Sequence, residues 1–495
     1  MGFKLVVLWT DWVIFAMLVV IALYVRRVLG NANLRGVWTK VMRDAPALCA
    51  AVVFGLFALV TVLDSVHFRR VLRAQPGVPA GTVFYATRTE SLLDVILARQ
   101  VAMRETTYSA PLATHGFTKE TVEIEGRTER AYPRLQFGGA HLKDPAAERA
   151  GDLARRALAG LAAGLAVAAA GGVLTAALRA RRHGIAFAES LREIAANRTE
   201  MPVRAALLTL GAVCLLAGPV AALMDSYHVL GTDRTGNDVL YQAIKSVRTA
   251  FVIGTLSTLA TLPLAIALGI MAGYFRGWVD ELIQYVYTVL SSIPNVLLIA
   301  ACVLMVQVLI DKNPQLFETG AERSDVRLAL LCVILGVTGW ATLARLLRGE
   351  TLKLRELEYV QAANAFGVGP WRIMARHIFP NVMHLVLITT VLDFSALVLY
   401  EAVLSYVGVG VDPSMNSFGG MINLARSEMS RDPVVWWSFA AAFCFMVALV
   451  LAANLLADGV RDAFDPRARV FRPRLVPLRR VAPTPVGAEA PVLRA

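Results

Sequence analysis

The chain has 495 residues, 57% hydrophobic and only 17% charged, with a mean hydropathy of +0.57, which excludes an ordinary soluble globular domain. Its charge stands in islands between long apolar runs, the pattern of an integral membrane protein. A net charge of +12 elsewhere points to nucleic acid, but here the arginines gather in a few loops and the tail, where topology accounts for them and no nucleic-acid partner is implied.

The first apolar run, residues 5–25, has only Lys4 ahead of it and Arg26-Arg27 directly behind. A cleavable leader carries its charge in front and small residues behind, so this run reads as an uncleaved anchor with the N-terminus outside. The loop 26–46 carries Arg26, Arg27, Arg35, Lys40 and Arg43 against Asp44 alone, which places it in the cytoplasm. The run 47–66 then returns outward, and 1–66 is a pair of transmembrane helices. Residues 67–154 contain no run long enough to span. Thr87 to Arg104 predicts a helix, with Thr87 and Glu90 at capping-box spacing and Leu93, Ile96, Leu97 and Val101 on one side. Val122 to Arg127 reads as a strand entering a turn. Together these predict a small extracytoplasmic α+β module. Its Ser109, His115 and Asp144 have no triad spacing and read as surface residues.

The third run, 156–178, is rich in Ala and Gly, which permits close helix packing. The basic loop Arg179 to Arg204 is cytoplasmic by the same charge rule, and 205–224 crosses outward, bent or shortened by Gly218-Pro219; these additional and first core helices make up 155–229. Next comes Leu230-Gly-Thr-Asp-Arg-Thr-Gly-Asn-Asp-Val-Leu240. Gly231 and Gly236 permit tight turns, Asp233 or Asn237 can cap the next helix, and Val239, Leu240, Ala243, Ile244 and Val247 recur at helical spacing, predicting a short interfacial helix. The segment resembles the dipeptide and oligopeptide permeases of the ABC importers, which carry L-G-T-D-x-x-G-x-D-V-L here. Gly231, Thr232, Asp233, Gly236 and Asp238 stand at its fixed positions, on the outer side.

Spans follow at 247–273, 283–310 and 327–347, with an acidic outer loop at 311–325 and a nearly neutral loop at 276–281. The polar island Glu358 to Pro380 lies between two spans and reads as helix, break, helix. Gly367 suits a left-handed helix end, and Gly369 and Pro370 suit the cap and first position of the next helix, which Pro380 interrupts. Gln361-Ala362-Ala363, Gly367 and His377-Ile-Phe-Pro380 resemble the E-A-A, Gly, I-x-L-P cytoplasmic loop of ABC-importer permeases, with Gln for Glu, His for Ile and Phe for Leu. The resemblance implies a coupling loop, 348–380, in which Glu358, Tyr359, Gln361, Ala362, Ala363, Phe366, Gly367, Pro370, Arg372 and Pro380 meet an ATPase.

The span 381–406 contains Asp393, Tyr400 and Glu401, costly at that depth unless they face protein or a watered pathway. Glu401-Ala-Val-Leu-Ser-Tyr-Val-Gly-Val-Gly resembles the family's E-A-x-L-S-F-L-G-L-G. The last span, 436–457, leads through Asn454 to Arg467, near the family's closing motif, into a tail, 471–495, expected to be disordered and cytoplasmic.

The resemblance covers about 204–470. The apolar runs give an all-α polytopic protein of about nine transmembrane helices, and the resemblance implies a six-helix permease core at 230–470, in a bacterial inner membrane. It further implies a second permease, two ABC ATPase subunits and an extracytoplasmic binding protein as partners, with lipid around the spans, and peptide as cargo. No lysine follows a glycine, so a Walker A loop is absent. The chain is expected to be non-catalytic and to bind no cofactor, ATP and Mg belonging to the ATPases. Cys49, Cys214, Cys302, Cys332 and Cys444 lie in apolar runs, and the seven histidines form no HxxxH or HxH pair, so no metal site is expected. The alternatives are nickel or another small solute as cargo, an ion-coupled secondary transporter using Asp393 and Glu401, or a membrane-anchored enzyme or sensor built on 67–154.

Overall fold

Inside a bilayer the backbone finds no water, so each apolar run must close its own hydrogen bonds as a helix. The computed structural model describes residues 3–72, 84–124 and 127–464. Among these, nine helices are long and apolar enough to cross a membrane. The tail at 471–495 and the end of the closing motif lie outside the described residues.

Strand β1 (Phe3–Val6) leads into α1 (Trp9–Gly30), α2 (Ala32–Arg43) and α3 (Ala45–Asp64). The basic stretch read as a loop is largely α2, capped by Asn31, whose Oδ1 accepts from the Asn33 amide at 3.1 Å. After α3, β2 (His67–Arg70) pairs antiparallel with β1, Leu5 opposite Phe68, and β3 (Glu90–Ser91) adds to its other edge. The chain's N-terminal strand is thus tied to the segment that follows α3, across the division expected at residue 66.

The helix expected over Thr87–Arg104 starts later and is split into α4 (Leu92–Ile96) and α5 (Ala98–Ala102). Thr87 and Glu90 do not cap it, because Glu90 is committed to the sheet. Ser91 does: its Oγ accepts from the Asp94 amide at 3.1 Å, while Asp94 accepts from the Ser91 amide at 2.9 Å. Strands β4 (Glu120–Ile124) and β5 (Arg127–Ala131) pair as a hairpin whose turn lies outside the described residues. Helix α6 (Pro145–His183) begins inside the stretch assigned to the module and continues as the third span. With α7 (Phe187–Ala195) and α8 (Val203–Leu223) it forms a hairpin so close that a Cβ on Gly160 would lie 2.5 Å from the Gly218 carbonyl. Helix α3 packs on α8 and also on two core helices, α9 (Val239–Phe275) and, at the chain's end, α17 (Trp437–Phe464).

The short interfacial helix expected after Leu240 is instead the first turns of α9, a single helix of 37 residues. The span expected at 283–310 is divided: α10 (Gly277–Ser292) ends where Pro294 holds Ile293 extended (φ −89°, ψ 132°), and α11 (Asn295–Lys312) follows. Helix α12 (Gly320–Arg355) runs parallel to α9 as the central pair of the core, Arg248 lying near Asp325, Thr261 near Gly336 and Tyr274 near Arg355. Then come α13 (Glu358–Ala365), α14 (Pro370–Ile373), a π turn at Met374–Ile378, α15 (Phe379–Tyr406), α16 (Phe418–Glu428) and α17. Buried apolar clusters rich in aromatic residues close both ends of the core. Tyr108, Phe251, Phe394, Phe418 and Trp437 meet at the module end, and Tyr274, Tyr287, Trp340, Ile373 and Ile378 meet at the other.

Candidate functional site

The polar island is a rigid knob on the end of the core opposite the module. Helix α13 ends as the spacing predicts. Gly367 has φ +74°, its amide donates to the Asn364 carbonyl at 3.0 Å, and the Val368 amide donates to Ala363 at 3.1 Å, the paired bonds of a Schellman end. Gly369 caps α14 and Pro370 is its first residue. Pro380 does not break the chain: it is the second residue of α15, where no intrahelical donor is needed, and the irregularity falls just before it in the π turn.

Val360, Ile373, Met374 and Ile378 are buried against Tyr274, Ile283, Tyr287, Trp340 and Leu347, so the island is welded to α9, α10 and α12. Polar bonds brace the helices that carry it. Arg348 grips Asp280 through two bonds of 2.6 and 2.7 Å, and Arg355 donates to the Tyr274 carbonyl at 2.6 Å. The outer surface is left bare. Phe366 is 87% and Trp371 67% exposed, and Glu358, Tyr359, Gln361, Ala362, Arg372 and Pro380 are exposed beside them. Ala363 differs from Ala362. It is half-buried and packs inward with Val368, so it belongs to the joint rather than to the open face. Gln361 donates to the Glu356 carbonyl at 3.2 Å.

A cavity of about 550 Å³ opens between α9, α11, α12 and α15. Asp393 and Tyr400 line it with Thr261, Asn295, Thr342, Thr389 and Arg345. The Tyr400 hydroxyl is buried without a hydrogen-bond partner among the described residues. Glu401 is not on this wall. It is 2% exposed, accepts from Ser405 at 2.6 Å and packs beside Gly419 of α16, because one residue's step turns a helical side chain by about 100°. Its assignment to the pathway is therefore corrected: Glu401 joins α15 to α16. Arg345, over the Tyr287 ring at 4.9 Å, is a cavity residue that reading by spans missed.

The motif 230–240 is a docking platform for the module. Thr232 is fully buried: its Oγ1 accepts from the Ser109 amide at 2.7 Å and donates to the Thr107 carbonyl at 2.9 Å, while its carbonyl accepts from Trp437 at 2.9 Å. Asp233 gathers the Thr235 and Asn237 amides into a turn, both at 2.9 Å or less. Asp238, rather than Asp233 or Asn237, caps α9, accepting from the Tyr241 amide at 2.9 Å. Gly236 has φ +77°, and a Cβ there would lie 1.8 Å from the Glu105 carbonyl. Nothing larger fits.

His228 is sealed between Asp238 at 2.8 Å and Glu105 at 3.5 Å. Burial alone would push its pKa down, but those carboxylates lift it to about 9. Burial would likewise raise Glu105, yet His228 and the amides of Gln136, Phe137 and Gly138 hold it at about 2.

A second polar joint ties the N-terminal helices to the core. Arg248 of α9, 4% exposed, donates to Asp11 of α1 at 2.7 Å and Thr10 at 2.8 Å, with Asp325 of α12 at 3.6 Å. One turn away, Lys245 binds Asp64 of α3 at 2.6 Å and Asp94 of α4 at 3.0 Å. The spacing of Lys245 and Arg248 in an apolar helix was visible in the sequence; their partners, some 150 to 240 residues away, were not.

Residues 265–470 match the family described as the inner membrane component of binding-protein-dependent transport systems. The chain is similar to the oligopeptide transport system permease protein OppC of Mycobacterium bovis, at 31% identity over 50% of this chain and 78% of that one. It is also similar to the glutathione transport system permease protein GsiD of Pectobacterium atrosepticum, at 32% identity over 50% and 74%. The dipeptide transport system permease protein DppC of Bacillus subtilis is 29% identical over 49% and 69%. Among solved structures, a chain of the MetNI methionine ABC transporter aligns over 45% of this chain and 93% of its own, with 17% identity and a TM-score of 0.33.

Proposed function

Since the chain belongs to the inner membrane components of binding-protein-dependent transport systems, we propose that it is the permease subunit of an ATP-driven peptide importer. It supplies half of the translocation pathway. The module end faces outward toward a substrate-binding protein, and the island 358–380 faces the cytoplasm, where it seats on an ABC ATPase. ATP and Mg are handled by two such partner subunits, and a second permease completes the pathway. The observation that carries this reading is the island itself, with bare aromatic side chains on its outside and a buried apolar joint on its inside to α9, α10 and α12, of which α10 and α12 are themselves tied together by the Arg348–Asp280 pair. A push on the bare face has no compliant element to absorb it and passes into the spans that wall the cavity. Alternating access follows from that rigid linkage.

The test is peptide uptake together with retention of the ATPase in detergent-purified complexes. Trp in place of Ala362 adds bulk to the open face without entering the joint, and uptake should fall at least about tenfold with loss of ATPase, the weight of about 1.4 kcal/mol or more at a docking surface. Gln361→Ala removes only a partly exposed hydrogen bond and should do less. Full uptake by Ala362→Trp, with the ATPase retained, would remove the island from the coupling role.

A further inference from the structure

At the module end a second cavity, of about 380 Å³, lies between added and core elements. One wall is Thr87, Arg88 and Thr89 of the module; the others include Lys245 and Arg248 of α9 and Asn416 of the loop before α16. Some of its donors lack an acceptor among the described residues. Arg248 is more than nine-tenths buried and spends Nε on Ser65 and one terminal nitrogen on Thr10 and Asp11. Its other terminal nitrogen, Nη1, has no acceptor among the described residues. Among the described residues the buried Thr89 hydroxyl has no hydrogen-bond partner, and the exposed Arg88 beside it has no ion pair. The acids nearby are already engaged: Asp64 and Asp94 by Lys245 at 2.6 and 3.0 Å, Asp11 by Arg248 and His67 at 2.7 and 2.8 Å, and Asp325 by the Thr10 amide at 3.0 Å. A buried guanidinium nitrogen and a buried hydroxyl thus meet one chamber with no acceptor of their own among the described residues, beside the exposed Arg88, which is a costly arrangement for the buried pair unless a ligand supplies an oxygen.

We propose that this chamber is an outer subsite for the carboxylate end of the transported solute, built jointly by the module and α9. It rests on the peptide-import reading and gives the inserted module a function within it: the module supplies one wall of the first polar site that cargo meets. The single free nitrogen of Arg248 and the Arg88 fork together suit a two-oxygen acceptor. The test compares uptake of one tripeptide as free acid and as C-terminal amide, in cells carrying the whole transporter. Arg88→Ala and Thr89→Val leave the Arg248 ion pairs intact. Each should lower the acid-to-amide uptake ratio, Arg88→Ala by about tenfold, as expected for loss of one charge-assisted contact. An unchanged ratio at wild-type protein levels overturns the proposal, and so does an equal loss of both peptides, which would make these residues structural. A wild-type transporter that imports neither peptide defeats the peptide reading instead, and the subsite with it.

Discussion

Two glycines show how differently one residue type is constrained. An added Cβ at Gly367 meets nothing within 4 Å, so only its φ of +74° resists substitution; Gly367→Ala should cost about 1–2 kcal/mol in the island. Gly236 combines φ +77° with the Glu105 carbonyl at 1.8 Å from the added carbon. Gly236→Ala should therefore detach the module locally as well as strain the turn, at roughly 2–4 kcal/mol. Protease sensitivity of 105–142 reads the difference: it should rise for Gly236→Ala and stay at the wild-type level for Gly367→Ala. His228 adds a pH signature. With its pKa lifted from 6.5 to about 9, its stabilisation is whole below 6.5 and is lost as pH rises through about 9. Glu105, lowered from 4.5 to about 2, contributes fully above 4.5 and is lost only as pH falls through about 2. Thermal stability in detergent should thus decline from about pH 6 to about pH 10, and His228→Gln should flatten that decline. Parallel slopes in the two proteins would mean the contact does not titrate there.

At the scale of elements, the joint between α10 and α12 is the part whose loss should separate ATP hydrolysis from transport. Asp280 and Arg348 are bonded twice, and removing one charge leaves the other half-buried. Asp280→Asn should keep the ATPase bound, because the outer face of the island is untouched, yet lower peptide moved per ATP severalfold, for a pair worth about 1–3 kcal/mol. Hydrolysis and uptake falling in equal proportion would argue against it. The Schellman end and the cap at Gly369-Pro370 were legible in the sequence because they are local: glycine and proline state their backbone preferences within a turn. The division at Pro294 had the same local signal, but hydropathy averaged across 283–310 hid it. The merging of 239–247 into α9 was not legible, since helical spacing fixes that a helix exists and not whether it stops at the membrane face.

For the whole molecule, charge bias predicts opposite faces for 67–154 and 348–380. Cysteines placed at Ala140 and Arg372, both exposed, in a protein lacking the native five, should give labelling by an impermeant thiol reagent in intact cells at Ala140 alone. Labelling at Arg372 alone would invert the topology. Span number was readable from composition, because nine apolar runs gave nine long helices among the described residues. The tertiary joints were not. Nothing in Asp11, Asp64 or Asp94 announces a cation on α9, and a carboxylate near a span end is equally compatible with solvent. Among the family-motif residues, Thr232 and Gly236 turned out to hold the added module as well as the turn.

The pairing of Asp11 with Arg248 also sets an order of events during synthesis. The two residues are 237 positions apart, and at about 5–20 residues per second the ribosome takes roughly ten seconds to most of a minute to supply the second after the first. Throughout that interval α1 holds a carboxylate, and α3 another at Asp64, whose cationic partners do not yet exist. Once α9 emerges, Arg248 and Lys245 are acceptable at their depth only because those acids are already waiting. A chain begun downstream of the module would bring both cations into the bilayer's edge with most of their acceptors missing. Pulse-labelled chains starting near residue 204 should therefore be degraded faster than full-length ones, and Arg248→Leu with Lys245→Leu should restore their lifetime. The newborn core is chaperoned by acids from its own first hundred residues.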